Sequence, residues 1–227
     1  QLGAHAVGTG FVLLLGLLIG FTPLRGFHRL RTGWLLVLVV YFGLVTGNLI
    51  SLAVLTGWAA HGIPWHLAPG LTAVVGVSLI VSATTKRNLY CSHLCPHGAA
   101  QQLVKHRLGH AALPATVRSW LRWLPGGLLL AAVVVCLLEL PLNLSGWEPF
   151  NAYIFYVSGA SSLVLAAVSL VAAARYPMVY CRYGCPTGRL LNYVRHSAGA
   201  AHWQTADWAT LCCLAAVWGY VVSDFWM

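Results

Sequence analysis

Two nine-residue stretches decide how this chain is read: Tyr90-Cys91-Ser92-His93-Leu94-Cys95-Pro96-His97-Gly98 and Tyr180-Cys181-Arg182-Tyr183-Gly184-Cys185-Pro186-Thr187-Gly188. They share one pattern and stand 90 residues apart. At the same offset Val104 matches Val194, Lys105 matches Arg195, His106 matches His196 and Gly109 matches Gly199. Self-similarity of this kind marks a duplicated structural unit. A site built from one motif of each unit is the natural expectation.

The sequence around the motifs is that of a membrane protein. Charged residues make up 7% of the chain and hydrophobic ones 59%, whereas a soluble domain is about a quarter charged. The mean hydropathy of +0.77 says the same. Six apolar stretches, near 7–24, 33–55, 67–85, 122–142, 154–175 and 205–226, come close to the ~20 residues a spanning helix needs. The chain begins at Gln1 rather than at methionine, which leaves room for residues upstream.

The net charge of +9 has a topological explanation, and no nucleic-acid partner is expected. All thirteen Lys and Arg fall between Arg25 and Arg31, Lys86 and Arg122, or Arg175 and Arg195. Those are alternate connections of a six-helix zigzag. The connections near 56–66 and 143–153 carry no basic residue, and Glu148 lies in the second. The positive-inside rule then places both cysteine motifs on the cytoplasmic side and both termini outside. Trp58, Trp65, Trp147 and Trp226 mark the outer surface, and Trp34, Trp120, Trp123 and Trp203 the inner one.

The predicted architecture is an all-α polytopic membrane protein of six transmembrane helices with an internal repeat of helix pair plus Cys-x3-Cys-Pro motif. It forms a single transmembrane domain over 1–227. Residues 1–32 give the first helix and a basic loop, 33–112 the first repeat unit, 120–202 the second and 203–227 the sixth helix.

Within a unit, Cys91 is expected at the cytoplasmic end of a helix. Pro96, which cannot continue that helix, suits the first position of the next. Residues 97–108 then read as a short surface helix with Lys105 and Arg107 turned to water or lipid phosphate. Cys95 falls near its N-terminus, where free N–H groups stabilise a thiolate. The second unit repeats this with Cys181, Cys185 and Pro186. Four thiolates from two facing units suit an iron–sulfur cluster or a tetrahedral zinc, with copper handling and reversible disulfide chemistry as further readings. Cysteine, three residues, cysteine, proline is also the tail of the bacterial ferredoxin motif, whose two earlier cysteines are absent.

The paired Tyr-Cys-x3-Cys-Pro-x-Gly strings at the ends of predicted helices resemble the membrane domain of NosR/NapH-type proteins, over roughly residues 33–200. Copper-oxidase assembly proteins of the CcoG/FixG type share related strings. The resemblance implies a polytopic, 4Fe–4S-binding protein of the bacterial inner membrane, working in respiratory electron transport. Its electrons pass between quinol or cytoplasmic donors and periplasmic redox partners. Carried over position by position, Cys91, Cys95, Cys181 and Cys185 are the family's motif cysteines and the expected metal ligands. Such relatives usually continue into a cytoplasmic ferredoxin domain, and some carry a periplasmic flavin domain. Neither is visible in this sequence. The expected partners are therefore membrane lipids, quinone, and subunits of flavin, ferredoxin or cytochrome c type.

Around the cysteines, His93, His97, Lys105, Arg182 and Arg195 are candidates for a supporting shell. The two histidines bracket Cys95 as metal ligands or proton shuttles. The cations offset thiolate charge and tune a potential. No Cys-x-x-Cys-His string exists for covalent haem. His28, His106, His110, His196 and His202 cluster at the inner boundary rather than inside helices. Ser158-Gly159-Ala160-Ser161 resembles a string to which flavin mononucleotide is attached, with Ser161 the acceptor. Close packing of small residues is the plainer explanation. Cys136, Cys212 and Cys213 read as small apolar side chains. Glu139, Asp207 and Asp224 lie near helix ends, which disfavours a transporter. No acid–base pair or nucleophile constellation appears, so any enzymatic activity is redox and quinol-dehydrogenase-like. The alternative from another class is a structural or assembly subunit with a zinc- or copper-binding cysteine site.

Overall fold

A computed structural model of the chain describes residues 2–85, 88–105, 107–109, 111–138, 140, 142, 144–154 and 159–197. The sixth apolar stretch, with Trp203, Asp207, Cys212, Cys213, Asp224 and Trp226, lies outside these residues. So do His106, His110, Glu139, Ser158 and His202. Among the described residues every regular element is helical. The first helix, α1, spans Leu2–Phe21, and α2 spans His28–Val37 and continues as a π-helical stretch over Leu38–Val45. Next come α3 (Leu52–His61), α4 (Pro69–Thr85), a π-helical turn (Tyr90–Leu94) and α5 (Pro96–Val104). The second half holds α6 (Ala115–Leu121), α7 (Leu124–Leu137), α8 (Ala160–Arg175), α9 (Val179–Tyr183) and α10 (Pro186–Ser197).

Two helical stretches are long and apolar enough to cross a membrane, His28–Val45 with 18 residues and Ala115–Leu137 with 23. Shorter apolar helices cover His5–Phe21, Leu52–His61, Pro69–Thr85 and Ala160–Arg175. Their outward faces remain apolar. Val7, Phe11, Leu14 and Leu18 on α1, and Val164, Val168 and Val171 on α8, are all more than half exposed. Contiguous apolar surface on this scale marks contact with lipid or another protein.

The predicted second span, 33–55, is not one helix. It breaks after Val45, where Thr46 donates the last helical N–H to the Tyr41 carbonyl, and residues 47–50 run without helical pairing before α3 begins. Gly47 takes φ +63, a left-handed conformation that a side chain would strain, and Ser51 caps α3 by accepting the Val54 N–H at 3.1 Å. The apolar run continues through the break as Leu49, Ile50 and Leu52, so hydropathy alone does not register it. Backbone groups freed by the break find distant partners. The Ile50 N–H donates to the Tyr90 hydroxyl at 2.9 Å, and the Thr187 hydroxyl donates to the Ile50 carbonyl at 3.1 Å. The Leu52 N–H donates to Glu148 Oε2 at 2.6 Å. Irregular backbone inside an apolar bundle persists only when its polar groups are satisfied in this way.

A further correction concerns the helices that follow the motifs. Instead of a surface helix over 97–108, α5 ends at Val104 and is buried along Pro96–Ala99 and at Gln101 and Gln102. It lies against α2 and its π-helical extension, and against α8; α10 lies against α4 and α7. The face of α8 that receives neighbours is made of Ser162, Ala166, Ser169, Ala173 and Ala174, whose small side chains permit close approach. Gly43 opposes Pro96 and Tyr153, where a Cβ would meet the tyrosine ring at 2.9 Å. The motif helices therefore fold back among the apolar helices. Lys105 and Arg107, just past the end of α5, are exposed as expected.

Trp34, expected at a membrane surface, is instead buried, and its indole N–H donates to the His93 carbonyl at 3.0 Å. Trp65, Trp120 and Trp123 are exposed, consistent with a boundary position.

Candidate metal centre

Each motif closes by the same backbone device. The Cys95 N–H donates to the Tyr90 carbonyl at 2.7 Å, and the Cys185 N–H to the Tyr180 carbonyl at 2.8 Å. Cys95 is the N-cap of α5, with Pro96 at the first helical position, where proline has no hydrogen bond to lose. The Gly98 N–H points at Cys95 Sγ at 3.4 Å, and the Gly188 N–H at Cys185 Sγ at 3.2 Å. Crowding demands the first glycine and leaves the second only a tight fit for a side chain. A Cβ on Gly98 would collide with the Cys91 carbonyl oxygen, and one on Gly188 would sit 3.3 Å from the Cys181 carbonyl and 3.5 Å from Cys185 Sγ.

The two motifs meet. Cys95 and Cys185 belong to one buried apolar cluster that also holds Tyr90, Tyr180 and Ile50. Gln101, on α5 of the first unit, donates from Nε2 to Cys181 Sγ of the second at 3.3 Å. A cavity of about 610 Å³ is lined by Cys91, Cys181 and Cys185, together with Arg122, Arg182, Arg189 and Arg195. All four motif cysteines are free thiols, as is Cys136 on α7.

Burial governs their ionisation. It pushes the Cys91 thiol up to about 12, with the charge of Cys95 adding to the effect and Asn88 opposing it. Cys95 is pushed up to about 11 by burial, although N–H groups of Gly98 and His97 pull the other way. Cys181 and Cys185 are raised further, by burial first and then by the neighbouring thiolates. The expected helix-terminus stabilisation is present, but desolvation outweighs it. Charges on Cys91 and Cys95 of the first motif raise both Cys181 and Cys185 of the second, which puts the two motifs in one electrostatic environment. Such a set ionises together only when a metal supplies positive charge.

This donor set fits an iron–sulfur cluster. It is all sulfur, Cys95 and Cys185 are buried, Cys95, Cys181 and Cys185 receive N–H donors, and among the described residues arginines rather than acids line the cavity. Among the described residues no three His, Cys, Asp or Glu groups are gathered tightly enough for a single ion.

The supporting residues sort unevenly. Arg182 and Arg195 line the cysteine cavity; Lys105, the repeat counterpart of Arg195, lines a different cleft, to which Arg182 also contributes. His97 is fully buried and engages Tyr153 Oη through Nδ1 and Ser169 Oγ through Nε2, each at 3.0 Å. With both ring nitrogens occupied and burial holding its pKa down to about 4, it packs as a neutral imidazole. His93 Nδ1 bonds to Ser92 Oγ at 2.8 Å. Ser161 is an exposed residue in the first turn of α8.

Residues missed by sequence reasoning complete the picture. Gln101 occupies the repeat position of Leu191, and that departure from symmetry was visible at the offset of 90. Arg122 and Arg189 were visible only as members of basic segments. Glu148, read as part of an outer connection, is 1% exposed. Its Oε1 has no hydrogen-bond partner, and burial raises its pKa to about 8 against the pull of the Leu52 N–H. The native state therefore holds a proton that the unfolded chain releases above the ordinary carboxylate range. Stability is expected to fall as pH rises from about 5 to about 8, by at most about 1.4 kcal/mol per pH unit. Melting curves in detergent across that window test this, and Glu148→Gln should flatten the dependence.

Comparison with known proteins agrees with the geometry. The family described as "4Fe-4S binding domain" matches residues 67–114 and 158–202, one segment around each motif. The chain is 32% identical over 205 residues to the regulatory protein NosR of Pseudomonas aeruginosa, an alignment covering 81% of this chain and 28% of NosR. It thus spans little more than a quarter of that relative's length. No solved structure matches. Two matches to a 4Fe–4S binding domain support an iron–sulfur cofactor, and over most of its own length the chain is similar to NosR.

Proposed function

We propose that Cys91, Cys95, Cys181 and Cys185 hold one 4Fe–4S cluster between the two repeat units, and that the protein transfers electrons within a bacterial inner membrane. The observation that carries this reading is the arginine-lined cavity on which cysteines of both motifs open. When bound, the cluster supplies one-electron redox chemistry. The residues around it set the conditions. Arg122, Arg182, Arg189 and Arg195 favour the more negatively charged, reduced state and so raise the potential. Gln101 adds an N–H donor to one sulfur, and the burial of Cys95 and Cys185 keeps water from the ligands.

In this reading the chain crosses the membrane six times, with the basic connections and the motifs on the cytoplasmic side. Donors are quinol or a cytoplasmic carrier, and acceptors are periplasmic redox proteins. Flavin-, ferredoxin- or cytochrome-bearing subunits would complete the pathway.

The test is a visible spectrum of anaerobically purified protein before and after dithionite, with iron and acid-labile sulfide counted. Broad absorbance that bleaches on reduction, with matching iron and sulfide, is the expected result. Colourless protein without iron would end the proposal. A second measurement addresses tuning. Gln101→Leu copies the Leu191 side of the repeat, and it is expected to make the midpoint potential more negative in a titration followed by paramagnetic resonance. An unchanged potential would remove Gln101 from the tuning shell.

A further inference from the structure

Beside the cysteine cavity, and sharing Arg182 with it, lies a second cleft of about 510 Å³. Cations from four separate elements converge on it: Arg31 of α2, Lys105 beyond α5, Arg118 of α6 and Arg182 of α9. Among the described residues no acidic one lines it. The positive-inside rule accounts for basic residues in these connections, but not for their convergence on one concavity.

Like charges held together repel, and little in the cleft offsets them. Arg31 donates to Gln102 Oε1 at 2.7 Å, and Arg118 Nη2 donates to the Leu113 carbonyl at 3.1 Å. Both acceptors are neutral. Arg118 Nε is buried and has no partner. An unpaired guanidinium N–H beside three further cations is complementary to an oxyanion with several acceptor oxygens.

The cleft's position narrows the choice of oxyanion. Trp120, on α6 next to Arg118, is 81% exposed, and Trp123 is 79% exposed. Indole rings so displayed beside an apolar helix sit at headgroup depth in a bilayer. Basic pockets between helices on the cytoplasmic side are suited to acidic lipid headgroups. We propose that this cleft binds the phosphate groups of an anionic phospholipid. The placement rests on the membrane reading above, whereas the cleft's charge does not.

The experiment uses the full chain purified in mild detergent and offered cardiolipin or phosphatidylcholine, with retained lipid counted by native mass spectrometry. Cardiolipin adducts are expected to survive while phosphatidylcholine is stripped. The double variant Arg31→Gln/Arg118→Gln should weaken cardiolipin retention about tenfold or more. Lys105→Gln, at an exposed position, should weaken it less and guards against misfolding of the double variant. Equal retention of both lipids, or no loss in either variant, would overturn the proposal. Displacement of the lipid by millimolar pyrophosphate would assign the cleft to free phosphates instead. The visible absorbance of the same samples reports the cluster independently. Colourless protein that still selects cardiolipin would sink the cluster reading alone, and coloured protein without selectivity would sink only the lipid site.

Discussion

Cys185→Ser is expected to yield protein with almost no iron or acid-labile sulfide and no visible absorbance, while Cys136→Ser keeps both. Cys185 is 5% exposed, and its sulfur receives the Gly188 N–H. Serine there offers a harder, less acidic oxygen in a site already hostile to ionisation, and buried surroundings allow no external ligand to replace it. Cys95→Ser should behave alike, since Cys95 is equally enclosed at 4% exposed. Cys91 and Cys181 are partly exposed. Their serine variants should also lose the cluster, with traces surviving anaerobically if water replaces the ligand. Full iron in any of the four variants would show that the site is not a four-cysteine one. Cys136 lies on α7, outside the cavity lining, and serves as the control for handling.

Gly98→Ala should be nearly as damaging, and much worse than the matching change in the second unit. The added methyl group would meet the Cys91 carbonyl, a backbone atom that cannot swing away. Relief requires α5 to move off the motif, which separates the Gly98 N–H from Cys95 Sγ. Overpacking of this kind costs about 1–3 kcal/mol or more, and here it also spreads the ligands. In Gly188→Ala the contacts are at 3.3 Å and 3.5 Å, so a shift of a few tenths of an ångström absorbs them. Iron content and melting temperature, measured for both variants in one detergent, give the comparison. Equal behaviour would mean that the two motifs do not pack as differently as their distances indicate.

Much of this was legible in the residues. The offset of 90 placed both motifs and paired the halves, and the proline after each second cysteine foretold where α5 and α10 begin. The depth of those helices was not legible. Gln101 and Gln102 look like the wet face of a surface helix, yet one reaches Cys181 and the other reaches Arg31 and the Ser92 carbonyl. Polar side chains satisfied by partners far along the chain leave no trace in local periodicity. The break after Val45 was hidden for a related reason. Its flanks are apolar throughout, and only Gly47-Asn48 hinted at a turn. The burial of Glu148 was not legible because an acid in a connection is ordinarily solvated, whereas here it closes the backbone of a segment 96 residues earlier.

The grip on Ile50 has a consequence for how the protein is made. Its N–H is held by Tyr90 from the first motif, and its carbonyl by Thr187 from the second. A ribosome delivers Ile50 early, Tyr90 later and Thr187 near the end of the second unit. Until that last residue emerges, the unwound segment has an unclaimed carbonyl and the first pair of cysteines has no counterpart. A cluster shared by both motifs, as proposed above, can therefore be loaded only after the second unit has been made and inserted. A chain stalled midway would hold two thiols that an insertion machinery has no geometric reason to recognise.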